Sequence, residues 1–255
     1  MTLARRLTAL VLSALLLAPA PTAEASSGSS RAAAVAPEPG LVLDIPDTFA
    51  HPTWDAGAVS RLVDQGYLAP GFEVTTPDRA CSAGFMARTA AGEPVMVTAG
   101  HCGLVGQTVF VSRDGRQVAV GTVIHSEFAA DNSAPDIGIV RLTSPEDVSP
   151  RLAGVYPIEG VLSVEDVQRL RPELCRFGAR SGISCGEYLG INEDKIVLSN
   201  IARPGDSGGP VLARIDGRYH AVGVASWMLT GSRPVIAAQP LAGILEEHNL
   251  QLMRG

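Results

Sequence analysis

The stretch RPGDSGGP at residues 203–210 is the most informative segment of the chain. It places Ser207 between glycines and directly after Asp206, in a segment too rich in glycine for the interior of a helix or strand. A serine hydroxyl becomes a useful nucleophile only when a base takes its proton and nearby donors stabilise the oxyanion formed on attack. Glycines permit a tight turn whose N–H groups point to one spot. The stretch therefore predicts a nucleophile loop, although alone it also fits a glycine–proline turn with an incidental serine.

Two upstream segments contain the groups that such a serine needs. Residues 95–103 (VMVTAGHCG) form an apolar, strand-like run that ends in a small-residue turn followed by His101. Residues 135–142 (PDIGIVRL) place Asp136 at the head of a second apolar run. Singly, the histidine fits a turn residue and the aspartate a strand-entry cap. The other histidines lie in no matching context and are interpreted as structural: His51, His125, His220 and His248.

In residue type, chain order and local setting, the three segments resemble the chymotrypsin-like (trypsin-type) serine endopeptidases. The resemblance is strongest to the bacterial branch of streptogrisins and α-lytic protease, and it covers about residues 71–255. It implies an all-β fold of two antiparallel six-stranded β-barrels with a C-terminal helix. The first barrel would span about residues 71–150 and the second about residues 151–255, with the active site in the crevice between them.

The resemblance also implies a role for each residue of the site. Ser207 would be the nucleophile, and His101 would take its proton and then protonate the leaving amine. Asp136 would accept a hydrogen bond from the other imidazole nitrogen. The N–H groups of Gly205 and Ser207 would form the oxyanion hole. The acyl-enzyme chemistry of a secreted serine endopeptidase is thus the expected function, and a protease-fold binding protein with weak or no turnover is the alternative.

Four residues of the specificity pocket follow from the same resemblance. The base of the pocket falls at Ile201, so no acidic side chain is expected there and cleavage after Arg or Lys is not expected. The pocket wall falls on Ser226, Trp227 and Met228, where relatives usually have glycine in place of Met228. A methionine would fill or narrow the pocket. The sequence therefore predicts a preference for small or medium apolar residues at P1.

Structural support is expected from one ion pair and two disulfides. A buried Asp206 needs a positive partner, and Arg176 occupies the position of the arginine that serves this purpose in bacterial relatives; from the residues alone it also reads as a surface arginine. Four cysteines allow three connectivities, of which the resemblance favours Cys81–Cys102 and Cys175–Cys185. No His or Cys spacing typical of zinc is present, so no metal and no cofactor are expected.

The N-terminal region reads as an export segment. Residues 1–25 combine two arginines, a short apolar run and a small-residue cleavage site, which is typical of a signal peptide. The apolar run is short for a transmembrane span, so a retained signal anchor is the lesser alternative. Residues 26–70 read as a linker or pro-segment, with a short helix at residues 55–65. We therefore expect a secreted protein that is not inserted in the membrane after signal cleavage.

Composition and periodicity complete the prediction. The net charge of −6 and the absence of a basic stripe exclude a nucleic-acid partner. The resemblance implies protein or peptide substrates, and a monomer is expected. A capping-box pattern at residues 163–166 predicts a short helix, and the apolar spacing of residues 240–252 predicts a C-terminal helix. Short β-rich runs separated by Gly, Pro, Asn and Asp predict strands at residues 95–98, 108–112, 117–124, 137–142, 195–199, 211–215 and 219–225.

Overall fold

The computed structural model describes residues 68–131, 133–143, 145–229 and 234–255. The predicted signal peptide, the helix at residues 55–65 and most of the 26–70 segment lie outside the described residues. The last part of that segment is described and belongs to the core, because Leu68 and Ala69 are fully buried. Leu68 pairs through its backbone with Asp147 and Ser149. The folded unit therefore includes at least three residues that the sequence assigned to a linker.

The described residues form sixteen strands and two short α-helices. The strands of the first half are β1 (Glu73–Thr75), β2 (Ala80–Ser82), β3 (Phe85–Thr89), β4 (Pro94–Thr98), β5 (Thr108–Arg113), β6 (Arg116–Glu127) and β7 (Ile137–Leu142). The strands of the second half are β8 (Ile158–Val161), β9 (Glu173–Gly178), β10 (Gly182–Gly186), β11 (Tyr188–Asn192), β12 (Lys195–Ser199), β13 (Pro210–Ile215), β14 (Arg218–Leu229), β15 (Val235–Pro240) and β16 (Leu250–Leu252). The helices are α1 (Val164–Leu170) and α2 (Leu241–Glu247), and 3₁₀ turns occur at Gly100–Cys102 and Pro145–Asp147.

The strands form two antiparallel sheets, as the all-β, two-barrel prediction requires. The first has the order β16-β3-β4-β7-β6-β5-β1-β2, and the second has the order β10-β9-β13-β14-β15-β12-β11. Strand β8 adds a single parallel pairing to β14. Bulges interrupt the long strands β6 and β14, and bulges bend a strand and increase its twist. All seven strands predicted from periodicity are present.

Each sheet encloses its own apolar core, and a third cluster joins the two. The first core contains Met86, Met96 and Val140. The joining cluster is lined by Phe85 from the first sheet and Phe177 from the second, and it includes helix α2. An apolar contact between the sheets fixes their relative position, so loops at the edge of this contact can bring side chains from both sheets together.

The helix predicted at residues 163–170 is confirmed. The Ser163 side chain accepts a hydrogen bond from the Asp166 N–H at 3.1 Å, and the Asp166 carboxylate accepts one from the Ser163 N–H, which completes the capping box. Within the described residues, no helix has the length and apolar character needed to span a bilayer.

The C-terminal helix is shorter than predicted, and this part of the prediction was wrong. Helix α2 ends at Glu247, and Asn249 adopts a left-handed conformation with φ of 50°. Such a residue commonly terminates a helix. Leu250 and Leu252 then lie on β16, which pairs with β3 of the first sheet. The chain therefore finishes in the first sheet because these two leucines alternate with period two and pack on the joining cluster.

Candidate active site

His101 lies in the 3₁₀ turn that follows the buried strand β4. The disulfide between Cys81 and Cys102 ties this turn to β2, and it is the pairing implied by the sequence resemblance. The Ser126 hydroxyl also donates to the Gly100 carbonyl at 2.9 Å. The imidazole is thus attached to a rigid strand and two cross-links, while about a quarter of its surface, 26%, stays exposed.

Asp136 precedes strand β7, and its buried carboxylate accepts three hydrogen bonds. The His101 Nδ1 lies 2.8 Å from Oδ2, and the His101 backbone N–H donates to Oδ1 at 3.0 Å. The Ser226 hydroxyl, which comes from the second sheet, donates to Oδ2 at 2.6 Å. Because an ionised carboxylate only accepts, the proton of a neutral His101 ring must be on Nδ1. The Nε2 atom is then the acceptor that a general base needs.

The charge of Asp136 is stabilised by these contacts. Burial acts to raise the pKa of the carboxyl group, but it is outweighed by the His101 ring, through its hydrogen bond and its charge, and by the donors from Ser226 and the His101 backbone. The pKa of Asp136 therefore lies below its ordinary value, and the group is ionised at neutral pH.

Ser207 lies in the loop before strand β13, in direct contact with the first sheet. Its carbonyl accepts a hydrogen bond from the Ser82 N–H at 2.8 Å, and the Gly208 N–H donates to the Ala225 carbonyl at 2.7 Å. Gly208 has a φ of 79°, and a Cβ there would collide with the Thr98 hydroxyl at the end of β4. Only glycine permits this approach, so the position of Ser207 beside the histidine turn depends on Gly208.

The structure brings His101 and Asp136 into direct contact, and it places the backbone of Ser207 against Cys102, the residue after His101. The Cys102 Sγ lies 3.7 Å from the Ser207 carbonyl oxygen. Among the described residues, however, the Ser207 hydroxyl forms no hydrogen bond with the His101 imidazole. In catalytic sites without substrate, such bonds are often long or poorly aligned, and they shorten in the complex.

The backbone before Ser207 makes a tight turn at Pro204 and Gly205. Gly205 has a φ of 101°, which glycine adopts without strain. Asp206 holds the turn by accepting hydrogen bonds from the N–H groups of Arg203, Arg180 and Ser181 at 2.7, 2.9 and 3.0 Å. In the described part of the chain, the N–H groups of Gly205 and Ser207 have no hydrogen-bond acceptor. Both groups are therefore available to a substrate oxyanion.

Arg176 reaches this turn from strand β9 and is completely buried, as is Asp206. Its Nη1 lies 3.4 Å from Asp206 Oδ2, an ionic contact without hydrogen-bond alignment, while its Nη2 donates to the Ile201 carbonyl at 2.7 Å. Burial lowers the pKa of Arg176, and the Asp206 charge only partly opposes this. The second disulfide, Cys175–Cys185, cross-links β9 to β10 beside this arginine.

Replacing Arg176 by methionine is expected to lower the free energy of unfolding by about 3–5 kcal/mol, because it leaves Asp206 buried without its cation. Urea denaturation of the purified protein measures this change. Arg214→Met is the matched control, since Arg214 forms an exposed ion pair with Glu173 at 2.6 Å and exposed pairs contribute about 0–1 kcal/mol. An Arg176→Met variant as stable as the control would contradict a structural ion pair at this site.

The residues predicted to line the specificity pocket have distinct environments. Ile201 is half-buried, and its backbone is held by Arg176 and Ser184. Ser226 uses its hydroxyl for Asp136. Trp227 is half-buried, and Met228 packs partly against the core of the second sheet, after a bulge in β14.

The contacts of three polar residues of the site were not predicted from the sequence. Ser82 donates to the Gly205 carbonyl at 2.8 Å and accepts from the Ala179 N–H at 2.9 Å, so it fixes the turn before Ser207. Gln239 accepts a hydrogen bond from the Asp136 N–H at 3.1 Å. Ser226, assigned only to the pocket, is the third donor to Asp136. Their partners are 90 to 123 residues away in the chain, and a single polar residue in a strand gives no local signal of such a contact.

Two groups of His, Cys and Glu side chains in the described residues have donor atoms close enough to share a metal ion. Each group contains both cysteines of one disulfide. A cysteine binds a metal as its thiolate, and the sulfurs of a disulfide cannot supply one. Neither group is therefore a metal site.

Comparisons with known proteins agree with this geometry. No family model matches the chain. Serine protease 2 of Streptomyces fradiae is 27% identical over 149 residues, which cover 52% of this chain and 80% of that protein. Thermobifida fusca protease A superposes with a TM-score of 0.60 at 28% identity, over 74% of this chain and 99% of that one. Nocardiopsis protease superposes with a TM-score of 0.59 at 27% identity, over 72% and 98% of the two chains.

The Cellulomonas bogoriensis chymotrypsin is a third similar structure, with a TM-score of 0.56 at 25% identity over 74% of this chain and 99% of that one. These relatives are named as a serine protease, two proteases and a chymotrypsin. A serine endopeptidase activity follows from this agreement. The chain is therefore similar in both sequence and fold to the bacterial chymotrypsin-like serine proteases.

Proposed function

We propose that the chain hydrolyses peptide bonds through an acyl-enzyme intermediate formed on Ser207. In this proposal His101 is the general base and acid, Asp136 orients it, and the N–H groups of Gly205 and Ser207 stabilise the oxyanion. The observation that carries the proposal is the convergence of three donors on the Asp136 carboxylate, two from His101 and one from Ser226. This arrangement keeps Nε2 of the imidazole unprotonated and able to accept a proton.

The first half of the reaction forms the acyl enzyme. The Ser207 oxygen forms a bond to the carbonyl carbon of the substrate while its proton passes to Nε2 of His101. The carbonyl oxygen becomes an oxyanion between the two free N–H groups. The imidazolium then gives its proton to the amide nitrogen, and the carbon–nitrogen bond breaks. Water repeats the same steps on the ester and releases the acid, so the enzyme returns to its starting state.

The proposed substrate preference is for small or medium apolar P1 residues. The segment from Ile201 to Gly205 contains no acidic residue. The adjacent Asp206 is buried, and its oxygens are bonded to the backbone of three residues and to Arg176. Neither this segment nor Asp206 therefore offers a free carboxylate to a cationic P1 side chain. Hydrolysis of a peptide library varied at P1 tests the preference, and strong cleavage after Arg would overturn it.

Replacing Met228 by glycine is expected to raise kcat/KM for substrates with Phe or Tyr at P1 by about tenfold or more. Each methylene removed from a pocket changes discrimination by about 1–3 kcal/mol, and methionine presents several atoms. Substrates with Ala at P1 are the internal control, and their kcat/KM is expected to change little. An unchanged P1 profile would mean that Met228 serves only the core of the second sheet, against which it partly packs.

Export is part of the same proposal. We expect the signal peptide to be removed near residue 25 and the enzyme to act outside the cell as a monomer on protein or peptide substrates. Any further cleavage of the 26–70 segment is expected before Leu68, because Leu68 is buried and paired with Asp147 and Ser149. N-terminal sequencing of the protein recovered from the medium tests the cleavage positions, and a mature chain beginning at residue 71 would contradict cleavage before Leu68. Size-exclusion chromatography tests the monomeric state.

A further inference from the structure

The segment that carries Asp136 is attached to the second sheet at two backbone atoms. The Asp136 N–H donates to Gln239 Oε1 at 3.1 Å. Two residues earlier, the Ala134 carbonyl accepts a hydrogen bond from Lys195 Nζ at 2.9 Å. Pro135 lies between these atoms and restricts the backbone further. The two attachments therefore fix the backbone on both sides of Pro135, immediately before the Asp136 side chain.

A third residue connects the two attachments into a closed ring. Asp194, in the turn between β11 and β12, accepts from Gln239 Nε2 on one oxygen and from Lys195 on the other, each at 2.9 Å. The ring thus runs from the Asp136 N–H through Gln239, Asp194 and Lys195 back to the Ala134 carbonyl. Its three side chains all come from the second sheet, whereas the segment that they hold leads into β7 of the first.

The chemistry of the ring explains its residue types. Gln239 must accept on one side and donate on the other, and among side chains of its shape only the amide does both. Lys195 is the only lysine of the chain, and its side chain is just 1% exposed. A buried ammonium is costly unless it is paired, so its contacts with Asp194 and Ala134 compensate for that burial. Gln239 is also buried.

The charge on Asp194 favours the same arrangement. Burial acts to raise the pKa of this carboxyl group. The hydrogen bond from Gln239 and the hydrogen bond and charge of Lys195 together lower the pKa by more than burial raises it. The net pKa lies below the ordinary value. Asp194 therefore remains an acceptor for both neighbours at the pH at which a histidine base works.

We infer that Gln239, Asp194 and Lys195 are positioning residues for the hydrolytic reaction, which hold the segment before Asp136 on the second sheet so that its carboxylate meets His101. This inference rests on the proposed function of Asp136. The second sheet binds Asp136 at two points. Gln239 accepts a hydrogen bond from the Asp136 N–H, and Ser226, on the neighbouring strand, donates one to its carboxylate. Because a displacement of about 1 Å at a catalytic group can cost about 100-fold in rate, loss of the ring affects catalysis.

The test compares Gln239→Met with wild type and with the Arg214→Met control. The concentration of active enzyme is determined by titration with a fluorophosphonate, and kcat is expressed per titrated site. We expect kcat per site to fall about 10–100-fold in Gln239→Met, with KM within about twofold, because the ring does not face the substrate. The control, whose ion pair lies outside the ring, is expected to match wild type.

A second variant gives a signature that a purely structural role would not produce. In Gln239→Glu, two carboxyl groups would face each other at positions 239 and 194, and one of them must hold a proton to restore the donor. The charged groups of the ring and its target are Asp194, Lys195 and Asp136 with its His101 partner. We expect the kcat of Gln239→Glu relative to wild type to rise as the pH falls from about 9 to about 5. The same ratio for Gln239→Met is expected to be independent of pH.

Asp194→Asn replaces the Gln239 variants in this test if those variants fold poorly. The Asp194 side chain is 44% exposed, so its substitution disturbs the core less. We expect its kcat per site to fall about fivefold or more. If kcat per titrated site stays at the wild-type value while only the titratable fraction falls, the ring is structural and the inference is wrong. If wild type cannot be titrated and Ser207→Ala still hydrolyses peptides, the proposed function fails as well, and the two failures are thereby distinguished.

Discussion

The Ser207→Ala variant is expected to lose about 10⁶-fold in kcat, the scale of loss on removing the nucleophile of a serine protease. In the structure the Ser207 hydroxyl makes no hydrogen bond to another described residue. The loop is held instead by the Ser207 carbonyl, by Gly208 and by Asp206, all of which the alanine variant keeps. Thermal stability is therefore expected to stay at the wild-type value while activity disappears. Steady-state hydrolysis and a thermal melt of the same preparation measure both.

Ser163→Ala is the control for this experiment because it shows the opposite pattern. The Ser163 side chain caps helix α1 by accepting a hydrogen bond from the Asp166 N–H, and removal of an N-cap costs about 0.5–2 kcal/mol of stability. We expect this variant to melt earlier and to keep its kcat. A Ser207→Ala variant that retains turnover within tenfold of wild type would show that another group is the nucleophile.

The Asp136→Asn variant is expected to fold and to lose about 10⁴-fold in turnover near neutral pH. Asp136 accepts hydrogen bonds from His101 Nδ1, the His101 N–H and Ser226, whereas asparagine has one acceptor oxygen and an NH₂ group. If the amide donates to Nδ1, the ring proton moves to Nε2, and the imidazole can no longer take a proton from Ser207. A loss of less than tenfold would mean that another group orients His101.

The same variant has a stability signature with a defined sign. The pKa of Asp136 is lowered in the folded protein, so its charge contributes stability above the unfolded-state pKa of about 3.9, and that contribution is lost as the pH falls through the folded-state pKa. Asparagine has no such contribution. The stability difference between wild type and Asp136→Asn is therefore expected to be larger at pH 7 than at pH 2, as measured by urea denaturation.

The parts of this protein that were predictable from sequence are those with local signatures. The strands carrying His101 and Asp136 are short apolar runs that end at small or polar residues, and the capping box at Ser163 is a four-residue pattern. The proposed triad could be predicted because each of its members lies beside such a run. Of the second sheet, the β-rich runs identified only β12, β13 and β14, which are largely buried and rich in Val, Ile, Leu and Ala.

The parts that were not predictable depend on pairing over long sequence distances. Leu250 and Leu252 fit a helical spacing as well as a strand, and only the partner strand β3, some 160 residues earlier, decides between them. Leu68 reads as a linker residue until its pairing with the segment around Val148 is known. The ring of Gln239, Asp194 and Lys195 is the extreme case, because each residue alone reads as an ordinary polar residue and the function lies in their contacts.

Covalent labelling tests most directly whether His101 and Asp136 together activate Ser207 as the nucleophile. The purified protein is treated with a fluorophosphonate, and the modified residue is identified by peptide mass spectrometry. We expect close to one label per molecule, at Ser207, and we expect His101→Ala to label far more slowly because the serine has lost its base. A binding protein built on the same fold would not be labelled. Absence of labelling at Ser207, or a rate in His101→Ala equal to that of wild type, would contradict the proposed mechanism.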